Sequence, residues 1–206
     1  FRRSLLFPYL AGMDLVNAVR SMGGWKLVDR MYETPPASTE QVIHPERYLW
    51  DGDWPRPVEL ALPDRLQGWE RQGEDTMGEF TVDVWLEEHG VRGSAQAADG
   101  WGGDRLRLYR KGDERFLVWL TVSDTDEGAV LIALVALALG ALRRLLGGKH
   151  PERTSGEAVI LRSGDRVSLL RSVPKPLLPQ VLRGLEASRV GRDDRPGLLE
   201  DGFADS

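Results

Sequence analysis

The chain has 206 residues, 41% hydrophobic and 29% charged, the balance of a globular chain rather than a disordered or fibrous one. Lys and Arg number 27 against 32 Asp and Glu, and the resulting net charge of -5 argues against a general electrostatic grip on nucleic acid or on an anionic membrane. The absence of cysteine excludes disulfide frameworks, thiolate zinc sites, iron–sulfur clusters and cysteine nucleophiles.

Phe1-Arg2-Arg3 leads straight into an apolar segment without methionine or leader organisation, which reads as the later part of a longer chain. From Ser4 to Met31, Leu5, Leu6, Tyr9, Leu10, Met13, Leu15, Val16, Val19, Met22, Leu27, Val28 and Met31 recur at helical spacing. Gly23-Gly24 interrupts them, so the pattern predicts a helix, a break and a second short helix. Pro35-Pro36 stops the second helix, Ser38 or Thr39 ahead of Glu40 and Gln41 supplies N-cap chemistry for another turn, and His44-Pro45 closes it. Tyr48 to Pro63, rich in Trp, Pro and Asp, predicts a packed surface loop with aromatic anchors and a brief extended piece at Val58 to Leu62.

Asp75 to His89 reads as an amphipathic helix ending at Gly90, and Ser94 to Asp99 as a further short one. Gly100-Trp101-Gly102-Gly103-Asp104 reads as a turn. The period then changes to two: Leu106, Leu108 and Tyr109, then Phe116, Val118, Trp119 and Val122, form a hairpin across Lys111-Gly112-Asp113. Gly128 to Leu142 is an uncharged apolar run, too short to span a bilayer; a buried core helix is the first reading, a membrane or partner-binding segment the alternative. Strands at Ala158 to Arg162 and Val167 to Arg171 and a closing helix at Pro174 to Ser188 complete the pattern. The fold class is therefore α+β. Residues 1–99 are expected to be mainly helical with a Trp/Pro-rich loop, 100–190 to form a small ββαββα antiparallel-sheet part, and 191–206 to be a mobile tail.

The chain has no H-E-x-x-H, and its three histidines, His44, His89 and His150, fall on separate predicted elements, so no internal metal site is expected. No G-x-S-x-G elbow is present, and Gly100 to Gly103 is neither a P-loop nor a dinucleotide fingerprint. The run Ser38 to Tyr48 is denser in polar groups than a connector requires. His44, Arg47 and Tyr48 bring imidazole, guanidinium and phenol, groups that stabilise a developing oxyanion, so they are candidates for accessory catalytic roles at a site completed elsewhere. The competing reading is a capped, self-hydrogen-bonded connector. Glu40, Trp50, Trp54, Trp101 and Asp104 are the candidates for substrate or partner contact, against core and loop anchoring as the commoner use of tryptophan.

Three groups of residues carry a family resemblance: Phe7-Pro8-Tyr9 with Gly12; Gly23-Gly24-Trp25 with Val28-Asp29 and Tyr32; and Pro35-Pro36-x-Ser38-Thr39-Glu40-Gln41-Val42-Ile43-His44-Pro45-Glu46-Arg47-Tyr48. Glu74 to Phe80 and Ala97 to Arg105 follow in the same order. Over roughly the first 125 residues the chain resembles a family of bacterial proteins similar to gluzincin-type zinc metallopeptidases. The resemblance implies a preceding half that carries H-E-x-x-H and zinc, often in exported or lipid-anchored proteins, and a protein or peptide substrate. It implies that this chain, which holds none of that half, is inactive alone and helps wall the substrate cleft. A non-enzymatic assembly module, docking a protein partner through the apolar helix and the aromatic loop, is the alternative.

Overall fold

The computed structural model describes residues 2–124 and 158–199. They divide into two compact units. The described residues of the first lie within Phe1–Pro55, Gly78–Phe80 and Arg192–Ser206, and those of the second within Arg56–Met77 and Thr81–Gly191.

The first unit is helical. Helix α1 (Arg2–Glu33) is broken where Gly23 and Gly24 leave helical geometry. Gly24, at φ 66° and ψ -160°, holds a conformation that L residues rarely adopt, which explains the Gly-Gly break read from the sequence. Ser38 caps α2 (Thr39–Ile43), its Oγ accepting from the Gln41 amide at 3.2 Å. His44 ends the helix by donating its amide to the Glu40 carbonyl at 2.8 Å. A π-helical turn (Arg47–Asp51) follows and closes on Gly52 in the left-handed region, φ 56°.

At Gly52 the chain meets its own C-terminal segment. A Cβ there would lie 2.6 Å from the Arg195 carbonyl oxygen, so a side chain is excluded by both space and backbone conformation. The Leu198 and Leu199 amides donate to the Tyr48 and Leu49 carbonyls at 3.0 and 2.9 Å, and Arg30 Nη2 donates to the Leu198 carbonyl at 3.0 Å. Leu198 and Leu199 join Leu15, Val19, Leu27, Val28, Tyr48, Leu49 and Trp54 in one apolar core. The expectation of a mobile tail is therefore corrected at residues 197–199, which are buried: two leucines in a polar stretch are enough to anchor it, while 192–196 stay largely exposed.

The second unit is a six-stranded antiparallel sheet with strand order β2-β3-β4-β5-β7-β6, plus a two-stranded pair of β1 and β8. The strands are β1 (Val58–Glu59), β2 (Arg65–Leu66), β3 (Trp69–Asp75), β4 (Trp101–Lys111), β5 (Glu114–Ser123), β6 (Ala158–Ser163), β7 (Arg166–Arg171) and β8 (Arg189–Val190). Helices α3 (Gly78–Glu88), α4 (Ser94–Ala98) and α5 (Leu178–Ala187) accompany them; the first turn of α3 groups with the helical unit. Alternation along β5 separates two cores. Phe116, Val118, Leu120 and Val122 pack with Leu177, Val181 and Leu185 around α5, whereas Trp119 packs with Val82, Leu86, Ala97 and Ala98 of α3 and α4. Arg105 and Arg107 of β4 donate to the carbonyls of Val58 and Leu62, and the Tyr109 hydroxyl donates to that of Pro63, so one face of β4 fastens the segment before β2.

The α+β class stands, and the two expected hairpins and the closing helix are present. Three other expectations are corrected. The boundary at residue 99 does not separate helices from sheet, because β1, β2 and β3 precede it and belong to the sheet unit. Asp75 ends β3, so the helix drawn from Asp75 starts at Gly78; β3 reads Trp-Glu-Arg-Gln-Gly-Glu-Asp, is buried only at Trp69, and carries no alternation to announce it. Trp101 to Asp104 is the bulged start of β4 rather than a turn, with the register shift between Trp101 and Gly103. The apolar run Gly128 to Leu142 lies outside the described residues. No helix among those residues is long and apolar enough to cross a membrane.

Gly52→Ala is expected to destabilise the chain by about 2–3 kcal/mol, combining left-handed strain with the carbonyl clash. Gly24→Ala, with nothing within 4 Å of the new Cβ but in the glycine-only region at φ 66° and ψ -160°, is expected to lose about 1–3 kcal/mol through backbone strain alone. Urea unfolding of the two variants measures both losses.

Candidate functional site

The polar groups of the first unit converge on the segment from α2 to the π-helical turn. Glu40, on α2, is wholly buried, and Arg47 Nη1 donates to its Oε1 at 2.6 Å. His44 Nε2 lies 3.0 Å from Oε1 of Glu79, which is buried on the first turn of α3. Its Nδ1 is 3.7 Å from Glu46. Thr39 Oγ1 accepts from the Phe80 amide at 3.2 Å, and the Phe7 and Phe80 rings stack at 3.9 Å, which fixes the Gly78–Phe80 turn and with it Glu79. Gln41, also buried, accepts from the Ala37 amide at 2.8 Å and donates to the Asp53 carbonyl at 2.7 Å, bracing the backbone on either side.

The result is two cation-capable side chains, His44 and Arg47, each tied to a buried carboxylate. His44 keeps 25% of its side-chain surface exposed and Arg47 22%, against 5% for Glu79 and 1% for Glu40. A guanidinium held this way is a pre-positioned donor, and the His44 ring, its Nε2 engaged with Glu79, is one through Nδ1 in its imidazolium form; together they can bind an anion or a developing negative charge. Within this unit His44 with Glu79, and Glu40 with Asp53, each bring possible metal-ligand atoms within 4.8 Å of one another.

Tyr48 does not join them. Its hydroxyl donates to the Thr34 carbonyl at 2.5 Å, the ring is fully buried, and burial pushes the phenol up to about 12, with Arg30 nearby pulling the other way. It is a structural strut, which corrects its assignment as an accessory catalytic group. Glu40 is likewise an internal anchor rather than a contact residue. Trp54 is buried, donating from Nε1 to the Pro196 carbonyl at 3.3 Å with the Arg195 guanidinium 3.9 Å over its ring. Trp50 alone of the two aromatic candidates here is exposed.

Trp101 and Asp104 belong to the sheet unit and are interior. The Asp104 carboxylate accepts from the Met77 amide at 2.9 and 3.1 Å, from Trp101 Nε1 at 3.2 Å and from Trp119 Nε1 at 2.6 Å. It ties the residue capping α3 to two strands, so its role is structural and the expected ligand contact is corrected. Glu79 is the site residue that sequence reasoning missed. An acidic residue in the first turn of a helix is ordinary dipole chemistry, and nothing local marks it as a partner for a histidine 35 residues earlier.

A family model described as a domain of unknown function, DUF8575, matches residues 64–180, more than half of the chain. The chain belongs to the DUF8575 family. The DUF8575 match runs from the residue before β2 into the first residues of α5, so it covers the sheet core and Glu79 but not Glu40, His44 or Arg47. No curated protein and no solved structure matches the chain.

Two outcomes are expected. Asp104→Ala strands two indole N–H groups and a backbone amide in the interior and should destabilise by about 3 kcal/mol or more, with a change in tryptophan emission, measured by denaturant unfolding. Tyr48 has a folded pKa above its ordinary value, so its contribution is complete below pH 10 and lost as pH rises from 10 toward about 12. The stability of Tyr48→Phe, followed over that window, should therefore fall less steeply with pH than that of the unaltered chain.

Proposed function

We propose that this chain is the region following the catalytic helix of a zinc-peptidase-like bacterial protein, exported or lipid-anchored. In this reading it walls the substrate cleft and lends His44 and Arg47 to stabilise negative charge developing on the substrate. The observation that carries the reading is the pairing of two partly exposed donors with two buried carboxylates on one short segment, within the stretch that resembles the peptidase-like family. A self-satisfied connector would have no need to keep the imidazole and guanidinium open to solvent. Zinc, on this reading, is held by the preceding half; the chain's own residues bind and orient substrate.

The alternative, a non-enzymatic assembly module, draws on a different observation, the exposed apolar surface of α1. Its other expected docking elements fare unequally: Trp54 is buried and Trp50 exposed, and Gly128 to Leu142 lies outside the described residues.

Zinc content and hydrolysis of an unstructured protein substrate, compared between this chain and a longer form carrying H-E-x-x-H, test the reading. Activity and zinc are expected with the longer form only. There His44→Ala should lower kcat roughly a hundredfold with a smaller change in KM. Unchanged rates would remove His44 from the mechanism, and a longer form that neither binds zinc nor cleaves would end the peptidase reading.

A further inference from the structure

Helix α1 is apolar on two opposite sides. At about 100° per residue, Leu15 and Val19 face the core of the helical unit, while Leu5, Leu6, Tyr9, Leu10 and Met13 fall in a sector about 140° wide on the other side. These five side chains are 40 to 75% exposed. Together they leave roughly 600 Å² of apolar side chain in water, the upper end for the largest patch on a monomeric protein. A stable interface takes roughly 800 Å² from each partner, so this face alone supplies most of one side.

We propose that this face packs against the same face of a second copy of the chain, the two α1 helices running antiparallel about a two-fold axis near Tyr9. The occupant is argued from the pattern of the face itself. Arg3 and Asp14 lie on the same flank of the apolar sector, and both are exposed. Antiparallel helices set like flank against like flank, so this register brings Arg3 of each copy, which also lies 5.7 Å over the Phe80 ring, beside Asp14 of the other. A parallel pair would set unlike flanks together and would leave Arg3 and Asp14 of the two copies on opposite sides of the seam, unpaired with each other. The same antiparallel register sets Leu5 over Gly12, where nothing lies within 4 Å of the position a Cβ would take. The apolar sector is therefore complementary to itself in shape and in charge, and the proposal is independent of the catalytic reading of His44 and Arg47.

Light scattering and sedimentation equilibrium on the 206-residue chain, from micromolar concentration upward, test it. A concentration-dependent dimer is expected. Leu6→Glu combined with Leu10→Glu should abolish it while circular dichroism remains that of the folded chain, since both side chains are exposed. Asp14→Arg should weaken the dimer about tenfold, and adding Arg3→Asp should restore it. Because the chain has no cysteine, single substitutions report geometry: Tyr9→Cys should give an inter-chain disulfide on mild oxidation and Leu5→Cys should not. A chain that stays monomeric throughout overturns the proposal. So does a dimer indifferent to the two glutamates, or one that crosslinks at residue 5 but not at 9.

Discussion

An ionised carboxylate taken out of water loses several kcal/mol of solvation unless a cation and further hydrogen bonds replace it. Glu40 and Glu79 are both in that position within the helical unit, and the local fold is arranged around their neutralisation. Arg47 can reach Glu40 only because the chain leaves α2 at His44-Pro45 and re-enters helical geometry as a π-type turn. His44 can reach Glu79 only because Thr39 and Phe7 hold the Gly78–Phe80 turn. Each carboxylate thus fixes a side chain that still meets solvent, which turns a requirement of burial into a presentation of two donors.

The sheet unit solves its interior differently. Its strands bury alternating faces against helices, and most of its stabilisation is apolar area rather than paired charge. Of its buried carboxylates among the described residues, Asp83 and Asp104, the second accepts from a backbone amide and two indoles and serves as an internal hub. At the open side of the unit, Glu74 shows the opposite balance. Burial raises its carboxyl, but Arg107, Arg105 and Arg71 outweigh that and hold it below its ordinary range. The helical unit thus leaves two cationic partners partly exposed beside its buried acids, whereas Asp104 is tied to backbone and indole donors.

Legibility in the sequence followed the strength of local constraint. The β4–β5 hairpin was readable because β5 alternates and Lys111-Gly112-Asp113 supplies the turn; the α1 break and the Ser38 cap were readable because glycine and serine act through backbone geometry alone. Strand β3 was not, since its pairing is made by the backbone and its side chains are almost all in water. Neither was the anchoring of Leu198 and Leu199, which depends on contacts about 150 residues away along the chain. His44 and Arg47 could be picked out as candidates by residue type, but the carboxylates that position them could not be assigned. Tyr48 looked equivalent to them in sequence and differs only in pointing inward.

The paired-anchor arrangement is tested most directly by nitrogen-15 NMR of the His44 ring, comparing the unaltered chain with Glu79→Gln. A carboxylate 3.0 Å from Nε2 requires the proton on that nitrogen, with slowed exchange and a resonance that shifts when Glu79 loses its charge. A ring that averages freely between tautomers, or one that does not respond to Glu79→Gln, would contradict the anchoring of His44 and with it the reading of this segment as a built site.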